Sequence, residues 1–309
     1  MHGTYPANMA VTHSDLLFAV GTRFDDRATG KLSKFAPEAR IIHIDIDPAA
    51  IARNVPVEIP IVGDALNILE KIYPLLRALS IDDWLERIER WKKEHPLKVS
   101  NSNNALAAEQ VVKTISEVFP DAIISTEVGQ NQMWTALFYN FRIPRRLLTS
   151  GGLGTMGYGF PAAIGAQLGN PGKTVIDIAG DGSIQMNIQE LATAVHNRLP
   201  VIVAILNNGY LGMVRQWQDL FFNKRYSSTC LRTGPVYRPD FVKLAEAYGA
   251  VGMRVTKMED VRQSLLEAGK SRTKPVLIDF IVERETNVFP MVPAGGAISE
   301  MMFDRGGEG

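Results

Sequence analysis

Short apolar runs alternate with amphipathic segments along most of this chain. The runs Lys173 to Ala179 (KTVIDIA) and Val201 to Leu206 (VIVAIL) are rich in β-branched residues, which is typical of buried strands. Between them, the apolar residues of Asn187 to Asn197 recur at helical spacing and predict a helix. A strand, a helix and a strand in this order predict a right-handed crossover that joins two parallel strands.

The same alternation extends in both directions from this unit. Apolar runs predict further strands at Ala122 to Thr126, Val251 to Val255 and Pro275 to Val282. Helical spacing predicts further helices at Ile81 to His95, Phe241 to Tyr248 and Met258 to Lys270. Near the N-terminus, two more strands are predicted at Asp15 to Gly21 and Ile41 to Asp47. The pattern as a whole predicts an α/β fold with parallel sheets.

Polar residues stand at the carboxyl ends of two predicted strands. Asp181 lies between Gly180 and Gly182 after the first strand, and Asn207 and Asn208 follow the second. Ligands of open α/β sheets bind along the edge where such strand ends meet. Mg²⁺ prefers oxygen ligands and is commonly held by a few protein groups together with phosphates. This arrangement predicts a site for a divalent metal bound to a diphosphate.

The segment from Gly180 to Asn208 resembles the thiamine diphosphate binding motif, which opens with GDG and closes with NN. Three other segments resemble the catalytic subunit of acetolactate synthase, also called acetohydroxyacid synthase: Arg23 to Lys31 (RFDDRATGK), Gly151 to Gln167 (GGLGTMGYGFPAAIGAQ) and Gly209 to Gln218 (GYLGMVRQWQ). The resemblance covers almost the whole chain. It implies decarboxylation of pyruvate and transfer of the two-carbon unit to a second 2-oxo acid, giving 2-acetolactate or 2-aceto-2-hydroxybutyrate for branched-chain amino acid biosynthesis.

The resemblance assigns roles to residues of the predicted site. It implies that Asp181, Asn208 and the carbonyl of Tyr210 bind Mg²⁺. It implies that the other contacts to thiamine diphosphate come from Val128, Gly129, Gln130, Gly154, Met156, Gly180, Gly182, Ser183 and Gly212. In the family, the residue matching Met156 holds the cofactor in its bent shape.

One face of the predicted helix after Tyr210 carries Met213, Val214 and Trp217. Core packing is the default explanation for apolar residues at this spacing. The resemblance implies instead that these three residues line the channel to the reactive carbon and restrict the second substrate.

The resemblance gives the N-terminal segment a different cofactor. In the family the middle domain holds FAD, which has no redox role in the reaction. The matching positions are His2, Gly21, Arg23, Asp25, Arg27, Asp45 and Asp64. Arg23 and Arg27 suit the FAD pyrophosphate by bidentate pairing. The spacing of the charges alone favours a solvated, self-paired loop, and only the resemblance favours FAD.

We therefore predict four segments. Residues 1–80 form part of a Rossmann-like middle domain, and residues 81–104 form a linker helix and a polar loop. Residues 105–286 form the thiamine diphosphate-binding domain, and residues 287–309 form a tail or lid.

Two departures from the family pattern bear on activity. The family's subunit has an additional N-terminal domain whose glutamate contacts the pyrimidine ring, and no residue here matches that glutamate. We expect the chain to hold the metal and the diphosphate but to be inactive alone. Asn131 stands where the family usually has His, so we expect no acid/base role at this position near neutral pH.

Composition narrows the function classes only modestly. The chain has 309 residues, 46% of them hydrophobic, which is enough for two domains. The formal net charge is zero, so the sequence lacks the excess of positive charge that is typical of proteins that bind nucleic acid or an anionic membrane. The single cysteine excludes an internal disulfide framework and favours a cytoplasmic location. No apolar run reaches the roughly 18 residues that a membrane span requires.

The expected partners are small-molecule 2-oxo acids, at least a second copy of the chain, and a regulatory small subunit. Two other functions stay open at this point. One is another thiamine diphosphate enzyme, such as a pyruvate oxidase, a glyoxylate carboligase or a 2-oxo acid decarboxylase. The other is a non-catalytic protein that binds the cofactor or a partner subunit.

Overall fold

The computed structural model describes residues 3–99, 105–232 and 239–304. The chain divides into two compact units, of which the first comprises Met1–Leu97 with Phe289–Gly309 and the second comprises Lys98–Val288. Both units contain parallel sheets with helices, so the predicted α/β class is confirmed. The polar segment Ser100 to Asn104 lies outside the described residues.

The first unit contains a three-stranded parallel sheet. Its strands, in spatial order, are β1 (Leu16–Val20), β2 (Arg40–Asp45) and β3 (Ile59–Val62). Its α-helices are α1 (Tyr5–Thr12), α2 (Asp26–Thr29), α3 (Ala65–Ile72) and α4 (Asp82–Glu94), and short 3₁₀ helices span Leu32–Lys34 and Tyr73–Leu75. A small core forms around Phe24, Ile41 and Val55.

The tail after residue 288 belongs to this first unit. The backbone N–H of Lys31 donates to the carbonyl of Gly296 at 2.9 Å, and the side-chain amide of Asn8 donates to the carbonyl of Ile298 at 2.9 Å. Gly30 also forms an antiparallel bridge with Ala297. These contacts attach the tail to the segments around α1 and α2.

The second unit contains a six-stranded sheet among the described residues, in which every neighbouring pair is parallel. In chain order its elements are α5 (Ala108–Val118), β4 (Ile123–Thr126), α6 (Gln130–Phe138), β5 (Leu147–Thr149), α7 (Gly159–Gly169), β6 (Val175–Gly180), a 3₁₀ helix (Ile184–Glu190), α8 (Leu191–His196), β7 (Ile202–Asn207), α9 (Gly212–Phe221), α10 (Phe241–Ala247), β8 (Val251–Val255), α11 (Met258–Ala268) and β9 (Val276–Ile281). The spatial order is β5-β4-β6-β7-β9-β8.

The strand order determines where a ligand can bind in this unit. From β4 the chain crosses to β5 on one side, whereas from β6 it crosses to β7 on the other. The loops after β4 and β6 therefore diverge and leave a crevice at the carboxyl ends of these neighbouring strands. Strands β7 and β9, which follow β6 in the same sheet, are buried along their whole length.

The predicted strands agree closely with the observed ones, but one predicted helix does not. Asn187 to Asn197 was expected to be a single helix, and this expectation is wrong in its first part. Residues Ile184–Glu190 form a 3₁₀ helix with a kink at Asn187, and the α-helix begins only at Leu191. The side-chain amide of Asn187 donates to the carbonyl of Gly157 at 2.7 Å, a tertiary contact that competes with a regular helix.

In the ranges that the structure describes, no helix has both the length and the apolar character needed to cross a bilayer.

Candidate cofactor and metal site

A cavity of about 250 Å³ lies at the carboxyl ends of β4, β6 and β7. Most of the predicted cofactor residues line it: Val128, Gly129, Gln130, Met156, Gly180, Asp181, Gly182, Ser183, Asn208, Tyr210, Gly212, Met213 and Val214. The parallel register brings these loops together, since Thr126 pairs with Ile178 and Gly180 pairs with Leu206. The structure thus gathers at one place residues that are widely separated in the sequence.

Asp181 is the buried acid of this cavity. It is only 4% exposed. Burial is the main cause that raises the pKa of Asp181 to about 7, and the nearby charge of Asp279 acts in the same direction. Among the described residues, no lysine or arginine forms an ion pair with Asp181. A buried carboxylate without a protein cation is a group that a bound metal ion would stabilise.

Asn208 is held in place on both sides of its carboxamide. Its Oδ1 accepts the backbone N–H of Tyr210 at 3.0 Å, and its Nδ2 donates to Oε1 of Gln130 at 3.1 Å. Because the Nδ2 side is engaged with Gln130, the carboxamide has a defined orientation. An oxygen such as Oδ1 has two lone pairs, so it can still accept a second interaction.

Asn207, the first residue of the asparagine pair, supports the turn from behind. Its Oδ1 accepts the N–H of Gly209 at 3.2 Å, and its Nδ2 donates to Asp279 at 2.9 Å. Asp279 in turn pairs with Arg254 at 3.0 Å. This buried chain of contacts fixes the turn that carries Asn208 and Tyr210.

Gly212 is required because the backbone approaches two site residues closely. A Cβ at this position would lie 2.2 Å from Oε1 of Gln130 and 2.7 Å from Nδ2 of Asn208. Any larger residue would therefore disturb the hydrogen bond that orients Asn208.

The residue expected to lack acid/base function, Asn131, has a structural role here. Its Nδ2 donates to the carbonyls of Glu127 at 3.1 Å and of Ile178 at 2.9 Å, which joins the ends of β4 and β6. Asn131 is buried and also lines the cavity.

The loop before α7 brings Met156 to the cavity. The next residue, Gly157, donates its N–H to the carboxylate of Glu127 at 2.6 Å, and Phe160 donates to the same carboxylate at 3.0 Å. Glu127 is fully buried. The sequence pattern did not indicate that Glu127 supports the site, because its partners lie some thirty positions away in the chain.

Helix α9 presents only part of its predicted face to the cavity. Met213 and Val214 line it, whereas Trp217 does not and lies instead with its ring centroid 5.3 Å from that of Phe221. The buried face of α9 is polar and consists of Arg215, Gln216 and Asp219. Core packing therefore does not account for the three apolar residues, of which Val214 is half-exposed.

Some cavity residues were not foreseen, and Gly154, like Trp217, is a predicted residue that lies outside the lining. Gly154 lies next to Val128, since a Cβ placed on Gly154 would be 3.9 Å from Cγ1 of Val128. The unforeseen lining residues are Asn131, Met133, Trp134, Leu206 and Leu211. The spacing of Gln130, Met133 and Trp134 on one face of α6 is the signal that could have indicated two of them.

The residues predicted to bind FAD lie in the first unit. Gly21 and Asp64 follow the ends of β1 and β3, and Asp45 is the last residue of β2, so the parallel sheet places them along one edge. Asp64 accepts the N–H of Asn67 and thereby caps α3, while Asp45 accepts the N–H of Asp47. These acids stabilise local turns.

The loop after Gly21 carries the charged cluster. Arg23 forms an ion pair with Asp25, and Asp25 also caps α2 by accepting the N–H of Ala28 at 3.1 Å. Arg27 lies 4.0 Å from Asp26, and these side chains are largely exposed. The loop thus adopts the self-paired arrangement that the spacing alone favours. His2 lies outside the described residues.

The donor set fits a divalent metal bound to a diphosphate. The described residues contain no cluster of three His, Cys, Asp or Glu side chains that could hold a metal by themselves. The site instead offers one buried carboxylate and one oriented carboxamide, so further oxygen ligands would have to come from the backbone, such as the carbonyl of Tyr210, and from a bound phosphate group.

Two family models match the sequence. The model of the C-terminal TPP binding domain of thiamine pyrophosphate enzymes matches residues 127–280, and that of the central domain of these enzymes matches residues 1–72. The first match contains the whole lining of the cavity described above. The second contains the three strands of the first unit.

Individual proteins are similar over nearly the whole chain. It is 44% identical to the acetolactate synthase large subunit of Haemophilus influenzae and to the acetolactate synthase isozyme 3 large subunit of Escherichia coli, over 99% of this chain and 54% of each relative. It is 48% identical to the acetolactate synthase large subunit of Corynebacterium glutamicum, over 99% of this chain and 50% of that relative. The chain spans about half the length of the curated relatives it matches.

Proposed function

This chain belongs to the thiamine pyrophosphate enzyme family, and from that premise we propose that it is the C-terminal portion of an acetolactate synthase catalytic subunit. The proposed reaction decarboxylates pyruvate and joins the two-carbon unit to a second 2-oxo acid. The names of the relatives and their identity of 44–48% over nearly the whole chain support this reaction. Their greater length makes the complete activity a proposal for this chain.

The observation that carries the proposal is the buried carboxylate of Asp181 beside the oriented carboxamide of Asn208. We infer that these two side chains and the carbonyl of Tyr210 hold Mg²⁺, and that the N–H groups of Gly182 and Ser183 donate to the diphosphate. Thiamine diphosphate, when bound, supplies the electron sink for decarboxylation of a 2-oxo acid. The protein's own part is to bind, orient and exclude water.

Apolar residues around the cavity would exclude water from it. Met156 enters the cavity from the loop before α7, and Met213 and Val214 enter it from the first turn of α9. In the proposed site Met156 supports the bent cofactor, and the α9 pair limits the space for the second substrate. An influence of Trp217 on the choice of that substrate stays a prediction.

The first unit has a proposed cofactor of its own. We propose that FAD binds at the edge formed by Gly21, Asp45 and Asp64, with Arg23 and Arg27 meeting its pyrophosphate. The match to the central domain of the family supports this proposal. The ion pair between Arg23 and Asp25 would have to open when FAD binds.

We also propose that the chain acts in the cytoplasm as a homodimer or larger assembly, and that a regulatory small subunit is a further partner. The term "large subunit" in the names of the relatives supports a second kind of subunit.

The proposed activity can be tested by mixing experiments. The chain is assayed with pyruvate, Mg²⁺, thiamine diphosphate and FAD, alone and mixed with the part of the Haemophilus influenzae relative that the match does not cover. We expect acetolactate from the mixture, and we expect its loss when the chain carries Asp181→Asn. Asp260→Asn, at an exposed acid on α11, is the matched control and should leave product formation unchanged.

The products separate the alternatives. Acetaldehyde as the main product would favour a 2-oxo acid decarboxylase, and oxygen consumption would favour a pyruvate oxidase. If both polypeptides bind their cofactors and nothing is formed, the non-catalytic alternative is favoured.

A further inference from the structure

Two buried acids meet on the face of the second-unit sheet that α7 covers. Asp177 on β6 lies opposite Ser125 on β4, and Glu127 follows two residues after Ser125. Because side chains alternate along a strand, all three point to the same face. Asp177 and Glu127 are both fully buried.

The start of α7 lies directly against both acids. A Cβ at Gly159 would be 2.4 Å from Oδ1 of Asp177 and 2.6 Å from the backbone nitrogen of Glu127. The absence of a side chain at Gly159 lets the helix approach this closely, so the first turn of α7 forms one wall around the acids.

The two carboxyl groups differ in how many hydrogen-bond donors they have. Glu127 accepts the N–H groups of Gly157 at 2.6 Å and Phe160 at 3.0 Å. Asp177 accepts the hydroxyl of Ser125 on Oδ1 at 3.0 Å, and its buried Oδ2 has no hydrogen-bond partner among the described residues.

This difference decides which acid is charged. Two carboxylates cannot both ionise at close range in a buried site. Burial raises the pKa of Glu127 as well, but the backbone N–H donors and the N-terminus of α7 oppose this effect and stabilise a negative charge on Glu127. Burial, and then the charge of Glu127, raises the pKa of Asp177 well above its ordinary value. The proton therefore resides on Asp177, whose free Oδ2 is the natural place for it.

We propose that Glu127 is a positioning residue of the cofactor site: the Glu127–Asp177 pair carries a single negative charge, located on Glu127, and that charge holds the peptide between Met156 and Gly157 in place. Met156 directly precedes the N–H that Glu127 binds and lines the cavity. The carboxylate thereby determines how far the Met156 side chain enters the cavity. This inference rests on the proposed role of Met156 against the bound cofactor.

The test compares Glu127→Gln with Asp177→Asn in the full chain. Gln places an NH₂ donor against one of the two N–H donors and removes the negative charge, whereas Asn preserves the shape and neutrality of a protonated Asp. We expect the dissociation constant for thiamine diphosphate with Mg²⁺, measured by calorimetry, to rise at least about tenfold in Glu127→Gln. We expect a change within about twofold in Asp177→Asn.

Infrared spectroscopy tests the proton independently of the cofactor. The measurement uses chains that carry Asp181→Asn, because the pKa of Asp181 is raised to about 7 and its carboxyl group would contribute to the same band. In this background the chain should show the carbonyl band of a protonated carboxylic acid at neutral pH, and adding Asp177→Asn should remove it. Persistence of the band after Asp177→Asn is added, or equal losses of affinity in Glu127→Gln and Asp177→Asn, would overturn the proposal. If the wild type binds no cofactor at all, the proposed function fails, while the infrared band still decides where the proton lies.

Discussion

At Gly159, helix α7 lies closer to the sheet than any side chain would permit. A Cβ would contact Asp177 and the backbone of Glu127 at distances that real structures do not show. The φ angle of Gly159 is not positive, so glycine is needed here for space and not for backbone conformation.

The substitution Gly159→Ala should therefore overpack this contact. We expect the free energy of unfolding to fall by about 1–3 kcal/mol, measured by urea denaturation. Gly165→Ala, on the same helix, is the matched control because a Cβ there meets nothing within 4 Å. It should raise stability by up to about 1 kcal/mol through helix propensity. Equal effects of the two changes would refute the steric explanation.

Asp177 should give the stability of the chain a pH dependence. Its pKa is raised in the folded state, first by burial and then by Glu127. The folded state therefore binds the proton more tightly than the unfolded state does. The free energy of unfolding should fall as the pH rises above about 4, where an unfolded Asp ionises, until the folded-state pKa of Asp177 has been passed.

Asp177→Asn removes this titration. Its stability relative to wild type should improve as the pH rises above about 4, as measured by urea unfolding at a series of pH values. Parallel pH profiles for the two proteins would show that Asp177 is not the group responsible.

Helix α9 is unusual in that it buries polar residues, whereas most helices bury an apolar face. Its buried side is polar, and Arg215 donates to the carbonyl of Glu285 at 3.0 Å and to the side chain of Asn287. Asn287 in turn donates to Asp219 at 2.8 Å. This network ties α9 to the segment that follows β9, which leaves the first turn of the helix in a fixed position beside the cavity.

Removal of the guanidinium should destabilise the chain strongly. The substitution Arg215→Met leaves Asp219 and Asn287 without a buried partner. We therefore expect the free energy of unfolding to fall by about 3–5 kcal/mol. Arg225→Met, at an exposed arginine after α9, should change stability by no more than about 0.5 kcal/mol. Chemical denaturation of both variants makes the comparison, and similar stabilities would contradict the proposed importance of the network.

Elements that depend on local pattern could be predicted from the sequence. Strand β8 was predicted with its observed bounds, Val251–Val255, and the buried strands β6 and β7 were predicted closely. Strand β5 was not predicted because it is short and its residues are partly exposed, so no buried apolar run marks it. Strand β3 was not predicted either, and it contains Pro60, which is unfavourable within strands.

Features that depend on distant partners could not be predicted. The glycine-flanked Asp181 and the asparagine pair indicated the proposed metal site because their positions at strand ends are visible in the sequence. The buried role of Arg215 depends on Asn287, and that of Glu127 depends on Gly157. Neither pairing has a sequence spacing that any regular element would produce.

At the scale of the whole molecule, the described chain consists of two units, each with its own parallel sheet and core. The tail from Phe289 belongs to the first unit. The proposed thiamine diphosphate site lies wholly in the second. Ligand binding to one unit should stabilise that unit by mass action, by about 2.7 kcal/mol when the free ligand is at 100 times its dissociation constant.

Hydrogen exchange can locate this stabilisation. On addition of Mg²⁺ and thiamine diphosphate, the backbone amides at the carboxyl ends of β4, β6 and β7 should become better protected from exchange. The amides of β1 and β2 should be unaffected. Increased protection confined to the first unit would contradict the location of the site.

The most direct test is calorimetric titration of the chain with thiamine diphosphate, in the presence of Mg²⁺ and again in excess chelator. We expect saturable binding that requires the metal and is weakened at least about tenfold by Asp181→Asn but not by Asp260→Asn. Binding of equal strength without metal, or in Asp181→Asn, would show that the buried carboxylate does not hold the cation of the cofactor.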